Sequence, residues 1–250
     1  AKTGYLTRQS ANILAAKLSE AYAPGPAPPP EELWGVSWFQ PSQALASVVI
    51  PCADGEPRWR PTVERLVQHT PQPVEIILCG QGAPAEEPAW LGRLAARRGT
   101  PVILRPGGDT FAAACNRGSA AARGDHLVLL AEGALVTRHW LARLQAAVRG
   151  TEVGAVAAVS RPVADAELAD PDGWAAAHFL EHAGELGEAP GTTSPCLLIT
   201  RAAWQAAGGL DETRLSRPDA LADLFLRLRQ AGFGVLSCED VLIPCLAAPE

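Results

Sequence analysis

Three acidic residues stand where side-chain chemistry is expected. Asp54 follows an apolar run in "VVIPCADGE", Glu132 closes another in "LVLLAEGALV", and Asp219 opens "PDALADLFLRLRQ". The carboxyl ends of buried strands are where α/β folds bind ligands. A carboxylate there can ligate a cation, take up a proton or accept a polar hydrogen bond. Ala131-Glu132-Gly133 supplies one carboxylate, which is a poor site for Mg²⁺ or Mn²⁺ on its own. Arg117, in "CNRGSAA", is a candidate anion contact, with helix capping and packing as the plainer roles of Asn116-Arg117. Asp54 is equally well explained by an Asp-Gly turn, and Asp219 by the preference for an acid at a helix start. His178 and His182, in "HFLEH", are one helical turn apart, as zinc ligands often are. Only Glu185 offers a third ligand, and the order is not that of the HExxH motif. The six cysteines include no CxxC pair and several lie in apolar runs, so buried reduced thiols are expected.

The elements that carry these residues alternate strand with helix from Ser47 onward. "ASVVIPC", "PVEIILCG", "TPVILRP", "DHLVLLAEG" and "VGAVAAVSR" read as strands. Between them "RPTVERLVQH", "PAWLGRLAARRG", residues 109–124 and "TRHWLARLQAAVRG" read as helices, the first with Pro61 near its start, where a missing N–H is harmless. "PCLLITRAAWQAAGGLDE" is strand then helix. "PDALADLFLRLRQAGFGV" is a helix ending at Gly232, with Leu221, Leu224, Phe225 and Leu228 as its apolar stripe. Trp174, Phe179 and Trp204 are expected to line the core or a ligand groove, where aromatics at the surface could stack on the sugar rings of a glycan. This alternation predicts a mostly parallel sheet covered by helices on both faces.

Residues 1–32 read differently. "QSANILAAKLSEAYA" has helical spacing, and five prolines in seven residues of "PGPAPPPEE" then enforce an extended spacer. The aromatic segment 33–39, with Trp34, Trp38 and Phe39, follows. It either packs on the main body or, with the arm, docks a protein partner. The expected division is an arm over 1–32 and one domain over 33–250, with halves at 47–133 and 134–250. A net charge of −6 without a basic run argues against nucleic acid or an anionic membrane surface as partner. No apolar run is long enough to span a bilayer, and a location in the cytoplasm or on the cytoplasmic face of a membrane-associated assembly is expected.

Five segments, in order, resemble the family 2 glycosyltransferases of GT-A fold across about residues 47 to 243. They are "SVVIPCADGE", "VEIILCGQGA", "FAAACNRGSAAARGDHLVLLAEGALV", "PCLLITRAAWQAAGGLDE" and "DLFLRLRQAGFGV". The resemblance implies a Rossmann-like α/β domain with a nucleotide-binding half and an acceptor half. It also implies a nucleotide-sugar donor whose diphosphate is neutralised by Mg²⁺ or Mn²⁺ on a DxD motif, and a carboxylate base before the last long helix.

Each functional station of that family falls on a residue that lacks the group. The DxD positions fall on Ala131-Glu132-Gly133, with Gly133 where the metal-binding carboxylate is expected and Glu132 at the less involved middle place. The nucleotide-side acidic pair falls on Gly80-Gln81, the acidic pair before the last helix on Ala220-Leu221, and the late histidine near Pro244. The implied reading is a glycosyltransferase-like domain that has lost standard metal-dependent transfer and serves as a binding or scaffold subunit in a larger assembly, without a cofactor. The alternative is an active transferase with an atypical or metal-independent site. It would bind a nucleotide-sugar through Asp54, Glu132 and Arg117, use Asp219 as base, and place Mg²⁺ or Mn²⁺ on Glu132 where a metal is used. An inactive copy beside an active one in a longer transferase is a third reading.

Overall fold

The computed structural model describes residues 44–55, 57–149, 152–160, 170–189, 194–214 and 216–246. The arm over 1–32 and the aromatic segment 33–39 lie outside the described residues. The strands are β1 (Ala46–Pro51), β2 (Val74–Gly80), β3 (Val102–Pro106), β4 (His126–Leu130), β5 (Val153–Val159), β6 (Leu186–Glu188), β7 (Cys196–Thr200) and β8 (Gly234–Leu242). The helices are α1 (Trp59–His69), α2 (Ala89–Arg98), α3 (Phe111–Ala121), α4 (Trp140–Ala147), α5 (Pro171–His182), α6 (Arg201–Ala207) and α7 (Arg217–Gln230).

All eight strands join one sheet in the order β3-β2-β1-β4-β7-β5-β8-β6. β1 to β4 pair in parallel, β7 runs antiparallel between β4 and β5, and β6 lies antiparallel on β8. The mostly parallel sheet is therefore as expected. β6 and β8 were not anticipated. β8 hides its strand character behind Glu239 and Asp240, whose acids break the apolar pattern. Asp240 is buried because its carboxylate accepts from the Gly184 N–H at 3.0 Å and the Cys238 thiol at 3.1 Å.

Continuous burial along β2 shows that both sheet faces are covered. Val48, Ile50, Ile76, Leu78, Val128 and Leu130 pack with α1 and α4 on one face. Val49, Ile77, Cys79, Leu127 and Leu129 meet α3 and α7 on the other, including the whole predicted stripe of α7. Gly118 lets α3 approach closely: a Cβ there would lie 2.7 Å from Val49 Cγ1 and 3.1 Å from Cys79 Sγ. Trp204 and Phe179 are buried, but Trp174 is not a core residue; it is 41 % exposed near the start of α5.

One buried charge ties the parallel half together. Glu75 on β2 accepts from the Ser47 hydroxyl (2.6 Å), the Arg123 N–H (2.7 Å) and the Arg123 guanidinium (2.8 and 2.9 Å). Ser47 Oγ in turn accepts from the Gly124 N–H at 2.8 Å. Burial alone would raise the Glu75 pKa, but these donors more than offset it and hold the carboxyl below its ordinary range.

Candidate functional site: a cleft at the carboxyl ends of β1, β2 and β4

β1, β2 and β4 end at one edge of the sheet, and two adjoining cavities open there. One, of about 250 Å³, is lined by residues that include Asp54, Gly80, Gln81, Asp109 and Phe111. The other, of about 330 Å³, is lined by residues that include Arg58, Phe111, Glu132, Arg217 and Cys245. Pro51, Ala53 and Phe111 line both, so the two are parts of one cleft.

The first cavity is shaped by close backbone contact. Gly80 has φ +97°, and a Cβ there would lie 2.5 Å from the Cys52 carbonyl oxygen, which excludes a side chain at that position. Beside it, the Gln81 amide donates to Asp109 Oδ1 at 3.0 Å. A carboxylate is thus present on this side, but it comes from the turn before α3 and not from the end of β2. Asp54 lies on the rim, exposed, with Oδ1 accepting from the Gly55 N–H at 3.1 Å, as an Asp-Gly turn predicts.

The second cavity is lined by Ala131 and Glu132, with Gly133 next in the chain. Glu132 is half-buried, accepts from the Ala53 N–H, and has its Oε2 buried without a hydrogen-bond partner. Burial raises its pKa, while the Ala53 N–H and the Arg58 charge oppose that rise. Gly133, at φ +79°, is held between two neighbours, Arg58 and Leu246. Its N–H donates to Arg58 O at 3.2 Å, its carbonyl accepts from the Leu246 N–H at 3.0 Å, and a Cβ on it would lie 2.9 Å from Arg58 Nη2. Arg58 also donates to the Leu246 carbonyl. Arg217, the first residue of α7, faces the same cavity. Its Nη2 donates to Ser194 O at 2.6 Å, its Nε is buried without a hydrogen-bond partner, and its guanidinium stands 5.4 Å from the Phe111 ring centre.

The other predicted residues lie elsewhere. Arg117 is exposed and outside the lining of both cavities; its guanidinium lies against Gly107. Asn116 has the structural role, clasping the Leu210 main chain with bonds of 2.8 and 2.9 Å. Asp219 is exposed and engaged with Ser216, whose Oγ caps the Asp219 N–H at 3.2 Å and whose hydroxyl donates to Oδ2 at 2.6 Å. His178 Nε2 meets Glu239 O at 2.6 Å and His182 Nδ1 meets Glu185 at 3.0 Å, so both rings have local partners. All six cysteines are free thiols and five are buried, as their apolar settings imply. The sequence reading passed over Arg58, Arg217, Asp109 and Phe111. The available signal was weak: Arg217 directly precedes Pro218 at a helix start, and Arg58 sits just before α1.

A divalent ion of the kind the fold implies does not fit these residues. The second cavity offers one carboxylate and two guanidinium groups. Among the described residues no cluster of three or more His, Cys, Asp or Glu side chains is placed to hold a metal.

The strand order and the cleft at the strand ends define a GT-A glycosyltransferase fold. The sequence profile of the family described as Glycosyl transferase family 2 matches residues 47–205, and the chain belongs to that family. Among solved structures it is similar to a mannosyltransferase from Pyrobaculum calidifontis, in complex with GDP-Man and Mn²⁺. That likeness has 17 % identity and a TM-score of 0.61, covering 96 % of this chain and 68 % of the other. GalNAc-T7 with UDP, GalNAc and Mn²⁺ also gives 0.61, at 12 % identity over 83 % of this chain and 44 % of that one. These identities show the fold alone. An uncharacterized protein, y4gI, of Sinorhizobium fredii (strain NBRC 101917 / NGR234) is 26 % identical over 228 residues, 78 % of this chain. The chain spans about a quarter of that relative's length (24 %). No helix among the described residues is long and apolar enough to cross a membrane.

Proposed function

We propose that this glycosyltransferase family 2 domain has lost metal-dependent sugar transfer and acts as a binding module within a larger assembly. One observation carries the reading. At the position where the family resemblance puts the metal-binding carboxylate, the chain has Gly133, and the Arg58 guanidinium lies against it. A fixed cation in that place repels a divalent ion.

Two further features support it. The positions matched to the catalytic base, Ala220 and Leu221, are buried and apolar. Asp219 points its carboxyl at Ser216, as a cap does. The much greater length of the Sinorhizobium relative supports a place within a longer assembly, with the protein partner met through residues 1–39. The test is release or transfer of sugar from UDP- and GDP-sugars in Mn²⁺ and in EDTA. No EDTA-sensitive turnover is expected; turnover that needs Mn²⁺ overturns the proposal.

A further inference from the structure

We infer that the cleft takes a diphosphate group directly on guanidinium cations, Arg58 and Arg217, with no divalent metal between them. This rests on the reading above that the metal site is lost, and goes beyond it by assigning the cleft a ligand class.

The lining of the second cavity is cationic where a metal-binding lining is anionic. Arg58 and Arg217 face it, and Glu132 is its one carboxylate. The two arginines come from different elements, the turn before α1 and the start of α7. Both lie within electrostatic reach of Cys245, which lines the same cavity. Arg217 is held by Ser194 and Phe111 yet keeps a buried Nε with no hydrogen-bond partner. A buried donor left unmatched is a cost that an anionic ligand oxygen removes. The planar guanidinium matches two phosphate oxygens at once and cannot lose its proton, so its charge stays in place as a metal's does.

The adjoining cavity suits the rest of a nucleoside diphosphate. It presents Asp109, Asp54 and Thr110 to hydroxyls and shares the Phe111 ring with the cationic cavity. Together the cavities, about 250 and 330 Å³, fall in the size range of small-ligand sites. Glu132 then opposes the ligand's charge and sets an upper limit on affinity.

The experiment is calorimetric titration of the whole chain with inorganic pyrophosphate, in EDTA and again with excess Mn²⁺. Binding is expected in EDTA and is expected to weaken with Mn²⁺, which chelates the free ligand. Arg217→Gln should weaken binding about ten- to a hundredfold, the worth of a charged hydrogen bond. Glu132→Gln should tighten it about threefold or more by removing a like charge. Because Arg58 also holds the C-terminal segment, Arg58→Lys is compared with Arg58→Gln at matched thermal stability, and Lys should retain more affinity. Binding that needs Mn²⁺ and falls in Glu132→Gln overturns both this inference and the loss of the metal site. No pyrophosphate binding in either condition overturns this inference alone. Binding in EDTA that neither arginine substitution changes also overturns it.

Discussion

Gly133→Asp returns a carboxylate to the expected metal position, and the geometry predicts that manganese will still not bind. The new Cβ would start 2.9 Å from Arg58 Nη2 and 3.4 Å from Leu246 Cβ, so the carboxylate meets a guanidinium before it meets solvent. An ion pair with Arg58 forms and neutralises it. A metal ligated there would lie within roughly 5 Å of that guanidinium. At an effective dielectric of about 20 the repulsion is about 7 kcal/mol. Screening in an open cleft halves this, roughly, and still costs about two powers of ten in affinity. The backbone at φ +79° adds strain of about 1 kcal/mol, partly offset by the ion pair, so the melting temperature should move by only about 2–4 °C.

The decisive comparison is Mn²⁺ titration, followed by electron paramagnetic resonance, of Gly133→Asp against Gly133→Asp combined with Arg58→Ala. Removing the guanidinium should raise Mn²⁺ affinity about a hundredfold over the single variant. If the single variant binds Mn²⁺ as tightly as the double one, Arg58 is not what excludes the metal, and the electrostatic account of the cleft fails.

Four other outcomes follow from the same structure. His69, His126, His139 and His178 are all held below the ordinary 6.5, chiefly by burial, His139 at about 4. The unfolded chain therefore binds more protons as pH falls below about 6.5, and the unfolding free energy from urea titrations should drop by more than about 1.4 kcal/mol per pH unit between pH 6 and 5. The depressed Glu75 carboxyl adds a second loss only below about pH 4.5, its unfolded value, and Glu75→Gln should remove that lower phase. Gly118→Ala should destabilise by about 1–3 kcal/mol in urea unfolding, because the added methyl runs into Val49 and Cys79; a stabilised variant would refute that packing. Burial raises the thiols of Cys52, Cys79, Cys115, Cys196 and Cys245, Cys115 to about 12, so iodoacetamide at pH 8 should label these five slowly in the native chain and the urea-unfolded chain at six positions.

The parallel half of the sheet was legible because its strands are covered on both faces and read as unbroken apolar runs, such as "VEIILCG", separated by helices of clear period. β8 was not, because Asp240 is buried on the strength of hydrogen bonds to Gly184 and Cys238 that no local pattern announces. β6 has only three residues, too short for any periodicity. The site shows the same division. Glu132 and Asp54 were found because each lies two or three residues beyond the end of a strand. Asp109, Arg58 and Arg217 reach the cleft from a turn and two helix starts, separated by long stretches of chain, and only the packing of α1, α3 and α7 around the strand ends brings them together.

That division bears on how a cleft can change its charge while its scaffold stays the same. Gly80, Gly118 and Gly133 are each fixed by what lies against them: a carbonyl oxygen, a valine methyl, a guanidinium. The first two contacts belong to the sheet and to α3. The third belongs only to the cleft. Reversing it takes a carboxylate at residue 133 and a neutral residue at 58, with no change to β1, β4 or the core. The electrostatics of the strand ends are therefore nearly independent of the stability of the strands. In this chain that independence leaves two guanidinium groups and one carboxylate lining the cleft, the charge balance on which the proposed preference for a phosphate over a metal rests.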